Sequence, residues 1–186
     1  MVRPQIDFPM ASLSRSSSVI SYPASNTEET WNSTVNSTHS FLHGRGAFGK
    51  PTEASERKGL LSYRMLDLLK VVRIEPGRVI CRLTVNPLVT NAYGTLHGGA
   101  VATVAKLIAM ACARTVVDED KELSLGELSM SYHSASAINV ELEVDGCILK
   151  SGRNVTTASV EFRVKGTNKA AYTARATFFT TPTSKL

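Results

Sequence analysis

The sequence predicts an α+β fold: one long helix packed on an antiparallel sheet that curls around it. Three observations lead there. The chain from residue 58 reads as strand, strand, helix, then four strands, and runs of strands beside one segregated helix give this class. The four later runs are separated by "SASA", "SGR" and "KGTN", breaks with turn chemistry short enough for antiparallel neighbours. The helix-like run "AVATVAKLIAMACA", residues 100–113, has almost no polar side, and a helix apolar all round is buried on most sides.

Each element has its own local justification. "LLSYRMLDLLKVVRIE", residues 60–75, reads as a short helix or turn running into a strand, and "PGRV" as the turn after it. "RVICRLTV" is rich in β-branched residues and sets Arg78 and Arg82 against Val79 and Cys81. The Ala-rich helix follows a Gly-rich turn; Ala100, Ala102, Ala105, Ala109, Ala111 and Ala113 let its backbone approach a surrounding surface. The last strands are "LSLGELSMSYH", "INVELEVDGCILK", "NVTTASVEFRV" and "KAAYTARATFF". Period-two alternation is clearest in the second, where Val140, Leu142 and Val144 oppose Glu141, Glu143 and Asp145.

Residues 1–57 differ. They are rich in Ser, Thr and Asn with little apolar periodicity, a composition too poor in buried surface to offset chain entropy, so this segment is expected to be disordered. Arg3, Arg15 and the scarcity of acid before Glu28 give it some transit-peptide character, and "MASLSRSSS" at Met10 resembles a second start. Asn32 and Asn36 match the glycosylation acceptor with no secretory signal to go with it. The domain proper is expected over 58–182, with a tail at 183–186.

The 186 residues suffice for one domain with a core, and the net charge of +5 is only modestly basic. No basic run is interleaved with aromatics, which argues against nucleic acid. Cys81, Cys112 and Cys147 are odd in number and far apart, fitting neither a disulfide framework nor a zinc site; no metal or resident cofactor is expected. No apolar run approaches the ~20 residues of a membrane span.

The candidate chemistry lies in "TNAYGTLHGGAVATV". His97-Gly98-Gly99 stands where a loop enters the helix, with free backbone N–H groups and the positive end of the helix dipole. Such a mouth suits a phosphate or the developing oxyanion of a carbonyl under attack, and it equally suits a tight turn that needs glycine for steric reasons. Asn91 could supply an amide donor to the same oxygen or simply build the turn. This stretch closely resembles the signature of the hotdog-fold acyl-CoA thioesterases, in the PaaI-like branch that includes the thioesterase superfamily member 2 type. The resemblance extends from about residue 59 to 180 and takes in "PGRVICRLTV", "SYHSAS" and "LKSGRNV".

The resemblance implies a side-by-side homodimer, often paired again into a homotetramer, with an acyl-CoA substrate at the dimer interface. Gly98 and Asn91 would polarise the thioester carbonyl, His97 would shape the turn, and His97 and Gly99 would bind the substrate. Lys150 and Arg153 would meet the phosphates of CoA, although their loop also reads as an exposed hairpin. A helix carboxylate from the facing subunit would activate water, and a strand serine would place it. Here the chain departs from the pattern. The carboxylate falls on Lys106, and no Asp or Glu occurs between Asn91 and Val117. Counting back from Tyr132, the serine's place is taken by Leu125, with Ser124 one residue off and so on the other face of the strand. A lysine acts as a base only when burial lowers its pKa; otherwise it pairs with an acid, Glu127 being one candidate, or leaves the water-activating half weakened.

The terminal Ser184-Lys185-Leu186 matches the peroxisomal address read by an import receptor. The expected function is acyl-CoA thioester hydrolysis in the peroxisome. The alternative is a catalytically weakened acyl-CoA-binding or regulatory protein, motivated by Lys106 and Leu125. A hydratase would need a paired Asp and His near the helix, and none is evident.

Overall fold

The computed structural model describes residues 68–167 and 169–182, together with 33, 36–38, 40 and 65. Most of the extension 1–57 and the tail 183–186 therefore lie outside the described residues, and so do the disorder and targeting expectations placed on them. Within the extension, Ser33, Asn36, Ser37, Thr38 and Ser40 are helical, and Thr38 is buried.

Six strands form a single antiparallel sheet. They are β1 (Leu69–Glu75), β2 (Arg78–Thr84), β3 (Lys121–Tyr132), β4 (Glu141–Ser151), β5 (Val155–Val164) and β6 (Ala170–Pro182). The sheet order is β1-β2-β4-β5-β6-β3, so β1 and β3 are its edges. The one long helix among the described residues, α1 (Gly98–Arg114), lies between β2 and β3 in sequence and packs chiefly over β4, β5 and β6. Pro76 and Gly77 turn β1 into β2, and Gly77 holds the positive φ of 72° that glycine alone adopts without cost.

Alternation sets the core. Val79, Cys81 and Leu83 of β2 are fully buried with Leu142 and Val144 of β4, Phe162 of β5 and Phe178 of β6, all on the face under α1. Arg78, Arg82 and Glu143 face the other way and are exposed. The close approach of α1 is made possible at Gly146 of β4, where an added Cβ would lie 2.5 Å from Ile108 Cγ2 and 2.7 Å from Cys112 Sγ. Gly146→Ala is therefore expected to overpack the helix–sheet seam and cost about 1–3 kcal/mol. Urea unfolding should show a lower midpoint at unchanged slope; an unchanged midpoint would mean that the seam is loose.

Burial pushes the Cys81 thiol up to about 12 and raises that of Cys112 likewise, which leaves both as inert core groups. Among the described residues no three metal-ligating side chains cluster, and no helix is long and apolar enough to cross a membrane.

Candidate active site at the helix mouth

Residues 85–97 fold into a docked loop. Val85 N–H donates to Val140 O at 3.0 Å, and Leu96 N–H to Ser136 O at 2.8 Å, which fixes the loop to the segment after β3. Asn91 is its pin. Asn91 Oδ1 accepts from the Tyr93 and Thr95 N–H groups at 3.0 and 3.2 Å, and Asn91 Nδ2 donates to Thr95 Oγ1 at 2.9 Å. The backbone closes the same turn, with Asn91 N–H donating to Thr95 O at 2.8 Å. The asparagine thus builds the turn, and one N–H of its amide is already committed inside it.

His97 caps α1. Its Nδ1 accepts from Gly99 N–H at 3.0 Å, while its carbonyl accepts from Ala100 and Val101. The Gly98 N–H, by contrast, donates to no acceptor among the described residues, and the first turn of α1 contains no acid. It is a free donor at the positive end of a 17-residue helix.

The steric reading of these glycines can be checked directly. Positive φ among glycines occurs at Gly77, Gly94 and Gly166 and not at Gly98 or Gly99. A Cβ on Gly98 would meet nothing nearer than Tyr132 Cε1 at 3.5 Å, an ordinary contact. Neither the backbone nor the packing within the chain calls for glycine at 98. On Gly99 a Cβ would come within 3.2 Å of His97 Nδ1 and disturb the cap.

Tyr132 completes the mouth, a role that sequence alone does not flag. Its hydroxyl donates to Gly98 O at 3.0 Å. Its ring meets Tyr172 edge-on at 5.8 Å, and Tyr172 meets Phe162 at 5.7 Å. Tyr172 Oη in turn accepts from Ser136 N–H at 3.0 Å. The end of β3 is thereby tied to both the helix start and the docked loop.

The remaining expected site residues lie elsewhere in the chain. Lys106 is eight residues beyond Gly98, roughly 12 Å along the axis. It is exposed, on a strip formed by Gly99, Ala102, Thr103, Lys106 and Met110, the part of α1 that its own sheet leaves open. Its side chain makes no ion pair or hydrogen bond with any described residue. Glu127 is not its partner. A β-bulge between Leu125 and Glu127 puts Glu127 on the exposed face opposite α1, with Leu128 packed inward. Leu125 also packs on the core, opposite Phe178, and Ser124 is exposed on the other face, opposite Phe179.

Lys150 and Arg153 are exposed at the β4–β5 hairpin, at the far end of the sheet from Gly98. That end also receives the C-terminus of α1: Gly77 N–H donates to Thr115 Oγ1 at 2.7 Å, and Ile148 N–H to Gly77 O at 2.7 Å. One chain thus brings together Asn91, His97, Gly98 and Gly99, and separates them from Lys106 and from the basic hairpin.

An antiparallel sheet wrapped on one face by a single long helix, with a Gly-rich capped mouth, defines a hotdog protein. The family model of the thioesterase superfamily matches residues 93–171. Human acyl-coenzyme A thioesterase 13 is 30% identical over 106 residues, 57% of this chain and 75% of that protein; the Mus musculus protein is 31% identical over the same length. The chain belongs to the thioesterase superfamily. Among solved structures, zebra fish thioesterase superfamily member 2 superposes with a TM-score of 0.65 at 24% identity, covering 77% of this chain and 96% of that one. A hypothetical thioesterase from Streptococcus pneumoniae, solved with coenzyme A, gives 0.58 at 20% identity, covering 62% and 88%.

Proposed function

We propose that the chain is an acyl-CoA thioester hydrolase whose carbonyl-polarising half is complete and whose water-activating half is weakened. The observation that carries this reading is the unpaired Gly98 N–H at the capped start of α1, in a chain 30% identical to an acyl-coenzyme A thioesterase. An N–H held at a helix N-terminus needs no reorganisation to meet the negative charge that develops on a thioester oxygen. Gly98 has no steric reason of its own to be glycine, so the lack of a Cβ serves the approach of a ligand. Asn91 holds that mouth in shape through its turn.

The site is proposed to be shared between two copies. β3 is an edge strand of 12 residues with one side unpaired among the described residues. A second copy added antiparallel along that edge would turn the two helices in opposite directions. Each open strip, with Lys106, would then face the other copy's mouth, and the Lys150–Arg153 hairpin would come to the same side. Water activation would fall to position 106, where the chain carries a lysine in place of a carboxylate. Lys106 equally motivates the second reading, a hotdog subunit that binds acyl-CoA and regulates active relatives.

The test is CoA release by purified protein from acyl-CoAs differing in chain length and aromaticity, with Asn91→Ala as control. Slow, saturable release lost in Asn91→Ala supports the hydrolase; binding of CoA esters without release from any of them supports the second reading. Lys150→Glu combined with Arg153→Glu is expected to weaken CoA-ester binding more than binding of a CoA-free thioester. The difference should shrink as salt rises, because exposed charges act on phosphates through a screened field. Equal effects on both ligands would show that the hairpin does not read CoA.

Localisation to peroxisomes is proposed on the Ser184-Lys185-Leu186 match alone. An N-terminal fluorescent fusion should reach peroxisomes and remain cytosolic once Leu186 is removed. Unchanged localisation after the deletion overturns the address.

A further inference from the structure

We propose that the outer face of the sheet, opposite α1, carries a phosphate-binding site centred on Arg175, able to take a small phosphoester by its phosphate group. A cavity of about 300 Å³ opens there, lined by Ser129, Ser131, Ser159, Thr173, Ala174 and Arg175. The sheet register explains it. Arg175 of β6 lies directly opposite Ser129 of β3 on one side and Ser159 of β5 on the other. Ser131 lies opposite Thr173 in the next row. One long cation thus stands in a row of short side chains, and the short neighbours leave the hollow.

The chemistry of the lining is that of an anion site. It holds four hydroxyls, one guanidinium and no carboxylate. The Arg175 side chain makes no hydrogen bond or ion pair with any described residue. Three pairs of charges on this face are already matched. Arg163 grips Glu161 at 3.0 and 2.5 Å, Arg78 grips Asp145 at 2.9 and 2.6 Å, and Lys165 meets Glu141 at 2.7 Å. Glu127 and Glu161, opposite Thr177 and Thr173 and so both diagonal to Arg175, make no ion pair with it. Two of the hydroxyls are oriented from outside the hollow: Ser159 Oγ lies 3.2 Å from Cys147 Sγ, and Thr173 Oγ1 lies 3.0 Å from His133 Nε2. Those of Ser129 and Ser131 have no partner among the described residues. A planar fork of N–H donors ringed by hydroxyl donors matches the several acceptor oxygens of a phosphate.

The test is equilibrium dialysis of the full chain against labelled inorganic phosphate, then against glycerol 3-phosphate, in 0.15 M salt. A lone exposed arginine is screened at that ionic strength, so the built site is expected to show itself as saturable binding at or below about 1 mM. Arg175→Gln should weaken binding at least tenfold, and Ser129→Ala with Ser159→Ala by a smaller factor in a protein that still folds. Lys169→Gln should leave it unchanged, as should any rate of CoA release in Arg175→Gln, which separates this site from the proposed hydrolase. Absence of saturation, equal binding by Arg175→Gln, or loss of binding in Lys169→Gln overturns the proposal. So does Arg175→Gln changing the oligomeric state without phosphate being bound, since the face would then be a contact between copies.

Discussion

Lys106→Asp is expected to raise the rate of CoA release by about 10²- to 10⁴-fold, the usual range for a positioned general base. The gain is expected because the proposed site has its other half assembled: Gly98 offers a free N–H, His97 caps the helix, and Tyr132 ties the helix start to β3. Position 106 lies on the open strip of α1, roughly 12 Å from its own mouth, so the new carboxylate would act on the mouth of a second copy. Two other roles for the lysine predict different results. A lysine acting as the base gives no such gain in Lys106→Asp, because one base then replaces another. A lysine balancing a buried acid would leave that acid unpaired in Lys106→Met, at a cost of about 3–5 kcal/mol. No such acid is found among the described residues, and Lys106→Met should leave stability close to that of wild type, far short of that cost. Lys106→Met should also keep the wild-type rate of CoA release; its loss would make the lysine itself catalytic.

Gly98→Ala is expected to separate stability from activity. The residue has helical φ, and the new Cβ would sit 3.5 Å from Tyr132 Cε1, so the fold should hold or gain a few tenths of a kcal/mol from the better helix former. In the proposed site the same Cβ is expected to crowd a thioester that packs on the Cα of residue 98 as its oxygen meets the free N–H. Losing an oxyanion donor costs about 10²–10³ in rate, and Gly98→Ala should approach the lower figure. Thermal unfolding and CoA release, measured on one preparation, check both halves. A destabilised but active Gly98→Ala would return the glycine to a purely structural role.

The architecture was legible because its signals are local. Strand, strand, helix and four strands follow from alternation, from breaks such as "SGR" and "KGTN", and from an Ala-rich run too apolar to be exposed. The turn and cap at the helix mouth were legible for the same reason: Asn91, His97 and Gly99 bond within one short loop. What spacing could not supply was anything set by register or by the far side of the sheet. The Gly126 bulge changes which face Glu127 takes, and no periodicity marks it beforehand. Tyr132 reaches Gly98 across 34 residues of sequence. The exposure of Lys106 depends on where the sheet stops covering α1, which the helix sequence does not contain. Lys150 and Arg153 read as part of one site, yet in a single chain the sheet holds them at the end opposite the mouth.

The division of the site between a mouth that polarises the carbonyl and a position that activates water is tested most directly by one comparison. CoA release is measured for Lys106→Asp and for Lys106→Asp combined with Gly98→Ala, at equal concentration and pH. If the halves work as described, the single variant gains about 10²-fold or more over wild type, and the second substitution removes nearly all of that gain while the protein stays folded. A double variant that keeps the full gain would mean that the carboxylate acts on a thioester held somewhere other than the helix mouth.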